Sequence, residues 1–194
     1  MERLLKKYEQ KYKRVKEHLV DWKALQEQLL NLSSNACSIL DRLQVLSERE
    51  NFGVLKDVEN IVRDLPAKQV ESLECIFQSM NKTLVELEKV SKSIEKSWHD
   101  GCNLLRAERP QPTLQQAQQR IGSRPSLNDC LDGLKALYTM HHDEYKLKVD
   151  IVSSLSYTLS SSDLTALQTI LAEQPNIPPD EVQHIFDLVL GGDS

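Results

Sequence analysis

The sequence has few of the features that build sites for small ligands. Its six glycines are scattered and form neither GxGxxG nor GxxxxGKS, so a phosphate-binding loop is not predicted. The four cysteines lie far apart without a CxxC pair, which indicates reduced thiols and not a disulfide scaffold. No apolar run approaches the roughly 18 residues of a membrane span, and no stretch alternates as a β-strand does. We therefore expect a helical protein without a cofactor and without membrane contact.

Charge is plentiful but unevenly placed. The net charge of the chain is -5, yet residues 1–23 hold eight basic and four acidic side chains, whereas residues 163–194 hold six acidic ones and no Lys or Arg. The first twenty residues are too charged for a signal peptide, so we expect a cytoplasmic location, a nuclear location, or both. The basic start KKYEQKYKRVK has three interpretations: a solvated helix face, a contact for an acidic partner or nuclear import factor, or a nucleic-acid contact. The sequence pI of about 5.6 disfavours the last, and direct nucleic-acid binding is not expected.

Apolar heptads dominate the centre of the chain. Within residues 70–105 two rows repeat by seven, one from Val70 through Leu84 to Leu105 and the other from Leu73 through Leu87 to Gly101. Such a repeat is typical of a long helix with one narrow apolar seam. A helix of this length extends over about 54 Å, so it requires other long helices to pack against.

Two further long helices are predicted on either side. Residues 4–46 carry the seven-residue spine Tyr8, Val15, Trp22, Leu29, Ala36 and Leu43. Residues 127–159 start after an approximate capping box between Ser126 and Asp129. Short helices are expected over 54–65, closed by Pro66, over 164–172, and from Pro179. The predicted fold is all-α: an elongated antiparallel three-helix bundle of long amphipathic helices with two short C-terminal helices.

Three segments describe the expected domain organisation. Residues 1–108 form a long helical hairpin with a short corner helix, and residues 109–125 form a Pro/Gln-rich linker. Residues 126–194 supply the third long helix and the two short ones, packed with the hairpin as one domain.

Few titratable residues are spaced for chemistry. Glu181 and His184 form one ExxH unit, but di-iron bundles need two. His99 and Cys102 could be half of a zinc site, with no second pair in the sequence. His141 falls on the apolar seam, where a histidine at the edge of the core is expected. The sequence therefore predicts no metal, no catalytic residue and a non-enzymatic protein.

The C-terminal third carries a family resemblance. From Pro125 the chain reads PSLNDCLDGLKALYTMHHDEYKLKVDIVSSL, and this pattern resembles the third helix of the AAA+ ATPase-interacting ribosome maturation factor. It is similar, more distantly, to the cyclin-dependent-kinase-interacting protein that pairs with that factor. With its tail QPNIPPDEVQHIFDLVL the chain looks like a plant-type member of this group of small helical adaptors. Gly133 departs from the pattern, because the maturation factor has a bulky aromatic residue there.

The resemblance implies a non-enzymatic adaptor that heterodimerises with a second small helical protein. It implies binding to an AAA+ ATPase similar to valosin-containing protein and help with substrate recognition in large ribosomal subunit maturation, and also in replisome turnover. We expect the partner surface on the polar side of the third helix, at Asp129, Asp132, Lys146 and Lys148, and in the acidic tail. The alternative is a structural coiled-coil subunit of a tether or motor complex.

Overall fold

The structure is a computed structural model that describes residues 2–120, 124–157 and 159–191. Within these ranges it contains helices and no β-strand, so the predicted all-α class is confirmed. The elements are α1 (Glu2–Leu46), a 3₁₀ segment (Arg49–Asp57), α2 (Ile61–Ala107), α3 (Leu114–Gln118), α4 (Leu127–Ser154), α5 (Ser161–Glu173) and α6 (Pro179–Leu190). The three-helix arrangement and the division at 109–125 stay predictions, and residues 121–123 of that linker lie outside the described residues.

Helix α1 follows its heptad spine. The spine residues from Tyr8 to Ala36 are buried, and Leu43 at the end is partly buried. A single row spaced by seven lies on one side of a helix, so most charged residues between the spine positions are exposed; Lys11 is an exception, since its side chain is 14% exposed and pairs with Asp100. The sequence pattern therefore predicted both the helix and its buried side.

Helix α2 corrects the prediction at Pro66. Proline was expected to close a short helix, but Pro66 lies inside α2, which runs unbroken for 47 residues. Pro66 is the sixth residue of the helix, where it removes one backbone hydrogen bond near an end that already leaves several N–H groups without helical partners. The apolar residues that follow it gain more from burial than this one bond is worth.

The expected corner helix over 54–65 is not one element. A 3₁₀ segment covers Arg49–Asp57 and bends at Gly53, whose φ of 55° is accessible to glycine at little cost. Asn60 also has a positive φ, of 64°, just before α2 begins. Gly53 separates the buried Phe52 from Val54, which is 90% exposed, and Asn60 separates Val58 from Ile61.

Helix α4 begins as predicted and ends earlier. The Asp129 backbone N–H donates to Ser126 Oγ over 3.0 Å, and the Ser126 N–H donates to Asp129 Oδ2 over 2.9 Å, so the capping box is confirmed. The helix ends at Ser154 and not at 159; Thr158 lies outside the described residues. Ser154 Oγ donates to the Ile151 carbonyl over 2.7 Å, a local bond that competes with helical pairing at this end.

The chain divides into two compact units. Unit 1 contains residues 1–24, 87–147 and 174–194. In it Tyr8 donates its hydroxyl proton to the Gly101 carbonyl of α2 over 2.9 Å, and Tyr12 donates to the Cys130 carbonyl of α4 over 2.8 Å. A Cβ at Gly133 would overlap the Tyr12 hydroxyl. Glycine at 133, the departure noted above, therefore makes room for Tyr12.

Unit 2 contains residues 25–86 and 148–173. Its core joins α1, α2 and α5 through the buried side chains Ala36, Cys37, Ile39, Leu40, Leu73 and Leu164. Gln26 donates its side-chain N–H to the Leu171 carbonyl over 2.7 Å. This bond satisfies a carbonyl in the last turn of α5, where helical partners are missing.

None of the helices in the described ranges combines enough length with enough apolar character to cross a membrane.

Candidate protein-interaction surface

Asp129 forms hydrogen bonds that cap the start of α4. Its Oδ2 accepts from the Ser126 N–H and from Arg120 Nε, the latter over 2.8 Å, and its side chain is 26% exposed. Burial alone would raise the pKa of this carboxyl, but the Arg120 guanidinium and the Ser126 N–H and hydroxyl hold it below its ordinary value. A role at a partner surface would have to compete with these bonds.

Asp132 and Lys146 are both exposed on α4. They are 14 positions apart, which is about 21 Å along a helix, and Lys146 Nζ lies 3.6 Å from Asp143 Oδ1. The two residues point to similar sides of α4 but form no cluster. They can act as two separate contacts along one helix face.

Lys148 corrects the expected set. Its side chain is fully buried, at 0% exposure, and it belongs to unit 2, whereas the other three residues belong to unit 1. The physical reason is helical spacing, because Lys148 precedes the buried Val152 by four residues and shares its side of α4. Lys148 is therefore not part of an accessible partner surface.

The residues considered for chemistry do not converge. Among the described residues no group of three or more His, Cys, Asp or Glu side chains could hold a metal ion. His141 is buried, with Nδ1 2.7 Å from the Leu137 carbonyl and its ring edge-on to Trp22 at 4.9 Å. Its expected place at the core is confirmed.

Unit 1 also contains an open groove that was not predicted from the sequence. It lies between α1 and α6 and has a volume of about 770 Å³. Its lining from α1 is Lys16, Leu19, Val20 and Lys23, and its lining from α6 and the residue after it is Val182, Gln183, Phe186, Asp187, Leu190 and Gly191. We call this feature the α1/α6 groove.

Contacts with α1 and α4 position α6 and the segment that precedes it. The rings of Tyr12 and Phe186 meet edge to face at 5.9 Å. Before α6, Trp22 Nε1 donates to Gln174 Oε1 over 3.0 Å, and the Glu144 carboxylate accepts from the backbone and side-chain N–H groups of Asn176, both over 3.2 Å. These bonds fix the segment that leads into α6, so the groove is preformed.

The two walls of the groove differ in charge. Lys16 and Lys23 are exposed on the α1 wall, and no described residue forms an ion pair with either. Val20 lies between them in sequence and is 67% exposed. On the α6 wall Asp187 accepts a hydrogen bond from Gln183 Nε2 over 2.7 Å.

One signal in the sequence could have indicated this site: Val20 is apolar, lies off the spine and is flanked by lysines at i-4 and i+3.

Unit 1 thus contains helices joined by buried hydrogen bonds, an open groove and exposed charged side chains, which define an all-α protein. A protein-family comparison gives the narrower assignment. The chain belongs to the family described as "Ribosome biogenesis protein C1orf109-like", whose pattern matches residues 2–192. A comparison with curated proteins gives no match. The predicted membership of a ribosome maturation group is confirmed at the level of this family.

Proposed function

We propose that this chain is a non-enzymatic helical adaptor in ribosome biogenesis. In this role it binds an AAA+ ATPase similar to valosin-containing protein, together with a second small helical protein, and helps the ATPase recognise substrates during large-subunit maturation. The resemblance in α4 extends the proposal to replisome turnover. The proposed function requires that the protein be located in the nucleus, in the cytoplasm, or in both.

The observation that carries this proposal is the family match along residues 2–192. The accessibility of the α1/α6 groove and of the exposed residues Asp132 and Lys146 supports the proposal, because a partner could reach them. Grooves between helices commonly receive an amphipathic helix from a partner. An adaptor needs such preformed contact surfaces and no reactive group.

The length of the helices favours a second candidate function. Helix α1 has 45 residues and α2 has 47, lengths of about 68 and 70 Å, and both carry heptad rows. Such helices are typical of coiled-coil subunits in tether or motor complexes. A compact monomer or heterodimer in small-angle X-ray scattering would argue against this alternative.

Affinity purification of the tagged protein from its own cells, followed by mass spectrometry, tests the adaptor. Wild type is compared with the charge exchange Asp132→Lys/Lys146→Glu and with the control exchange Glu27→Lys/Lys82→Glu, which also leaves the net charge unchanged at two exposed residues of unit 2. We expect wild type and control to recover an AAA+ ATPase and a second small helical protein, and the α4 exchange to lose them.

One result would contradict the proposed function, and another would contradict only the expected contact surface. Recovery of tether or motor subunits without an ATPase would replace the adaptor with the structural alternative. Recovery of the ATPase by all three proteins would retain the adaptor and exclude the exposed face of α4 as its contact.

A further inference from the structure

We propose that the α1/α6 groove binds an acidic amphipathic helix of a partner protein, with carboxylates spaced seven residues apart facing Lys16 and Lys23. The inference rests on the proposed role as a protein-binding adaptor, and it adds the chemistry and the geometry of the partner.

The spacing of the lining residues indicates a helix. On α1 the lining positions are i, i+3, i+4 and i+7, and on α6 they are i, i+1, i+4, i+5 and i+8. Each set follows one side of a helix for about two turns, or roughly 11 Å. A third helix placed in the valley between two others contacts both rows in this way. The described residues contain no strand edge at which an extended peptide could pair.

The apolar part of the groove lining requires an apolar side on the occupant. Leu19 and Val20 contribute from α1, and Phe186 and Leu190 contribute from α6. Val20 is 67% exposed, so the occupant would cover apolar surface that now faces water. Burial of such surface is the main favourable contribution in helix-in-groove binding.

The charges fix where the carboxylates of the occupant lie. Lys16 and Lys23 are seven positions apart on one side of α1, and no described residue pairs with them. They belong to the basic end of the chain, residues 1–23. A helix lying along α1 would place carboxylates at i and i+7 opposite the two ammonium groups.

The α6 wall sets the orientation. The carboxylate of Asp187 lines that wall, and a carboxylate of the occupant would be repelled there. The acidic edge of the occupant therefore faces α1, and a basic or neutral edge faces α6. This asymmetry distinguishes the proposed partner from a helix that is acidic on both edges.

The test uses the full-length protein and a designed probe peptide. The acidic probe is a fluorescently labelled amphipathic helix of about five turns, roughly 18 residues, with leucines on one side, glutamates seven apart on one edge and lysines on the other. The second probe, which we call the reversed probe, has lysines in place of the glutamates and is otherwise identical. Both of its edges are therefore basic. Fluorescence anisotropy measures the dissociation constant of each probe.

Matched variants locate the binding site. Lys16→Glu/Lys23→Glu reverses the α1 wall, and Lys6→Glu/Lys13→Glu makes the same change in charge at exposed lysines, also seven apart on α1, that do not line the groove. Circular dichroism verifies that each variant is folded. We expect wild type and the control variant to bind the acidic probe about 10-fold or more tightly than the reversed probe, since each close charge pair discriminates partners. We expect the groove variant to reverse this preference.

Several outcomes would overturn the inference. Binding of neither probe, equal binding of both, or a preference that the groove variant leaves unchanged would each exclude the proposed chemistry. A wild-type dimer in sedimentation that the groove variant dissociates would assign the groove to a second copy of this chain. If the probes fail while affinity purification recovers the ATPase, the adaptor stands and the partner chemistry is wrong. If the acidic probe binds as expected while purification recovers no ribosome-related partner, the groove assignment stands and the adaptor function falls.

Discussion

Replacing Gly133 by alanine should destabilise unit 1 through one side chain of α1. A Cβ at position 133 would overlap the Tyr12 hydroxyl and would lie 3.0 Å from Ile185 Cγ2. Tyr12 is fully buried, and its hydroxyl donates to the Cys130 carbonyl. The tyrosine must therefore move, and the movement breaks a hydrogen bond inside the core.

The magnitude follows from three contributions. Overpacking a core costs about 1–3 kcal/mol, and loss of a buried hydrogen bond costs about 1 kcal/mol. Alanine recovers about 1 kcal/mol over glycine in a helix interior. We expect a net loss of about 1–3 kcal/mol in the free energy of unfolding, which lowers the melting temperature by roughly 2–12 °C for a chain of this size.

A double-mutant cycle with Tyr12→Phe tests the reasoning. Tyr12→Phe alone should cost about 1 kcal/mol, but it removes the atom that Gly133→Ala would strike. In the double variant alanine keeps its gain of about 1 kcal/mol over glycine, and the close contact with Ile185 offsets part of that gain. The double variant should therefore be as stable as Tyr12→Phe alone or up to about 1 kcal/mol more stable, in urea unfolding followed by circular dichroism at 222 nm. Additive losses in the double variant would refute the explanation of Gly133.

Three further predictions concern other parts of the chain. Leu84 is buried in α2, so Leu84→Asp places a charge in the core at a cost comparable with the whole stability of a domain; a variant with an unchanged melting temperature and helical signal would contradict the packing of α2. Asp129 has a lowered pKa, so the stability that its carboxylate contributes is complete above about pH 4, the ordinary Asp pKa, and is lost as pH falls through the lower folded value. Asp129→Asn weakens the hydrogen bonds from Arg120 and Ser126 and should cost about 1 kcal/mol at pH 7 and progressively less in acid unfolding. In thiol labelling followed by mass spectrometry, the exposed Cys75 should react first, and the buried Cys130, whose pKa burial raises to about 12, should react last; early labelling of Cys130 would mean that unit 1 opens readily.

Periodicity predicted the long helices because it depends on local spacing. The spine residues of α1 and the row Leu73, Met80, Leu87 and Ile94 of α2 are all buried apart from Leu43. The capping box before α4 was also readable, since a hydroxyl and a carboxylate three residues apart satisfy N–H groups at a helix start. Both features depend only on residues within one stretch of the chain, so they can be predicted without knowing what packs against the helix.

Local rules failed at three places. Pro66 was expected to end a helix, yet it lies in the second turn of α2, where it removes one backbone hydrogen bond and the helix continues. Lys148 was assigned to a polar side by residue type, although its spacing from Val152 places it in the interior. The α1/α6 groove needs residues separated by about 160 positions or more to meet, and no pattern within either helix specifies that they do.

The placement of the two tryptophans gives the molecule a built-in optical label. Trp22 and Trp98 both belong to unit 1, and residues 25–86 and 148–173 of unit 2 contain none. Trp22 lies against His141, and Trp98 stacks on Tyr138 at 5.7 Å, so opening of unit 1 changes the surroundings of both indoles. Intrinsic fluorescence therefore reports on unit 1, whereas the helical signal sums both units. A denaturation series in which the two signals separate would show which unit opens first, without any added dye.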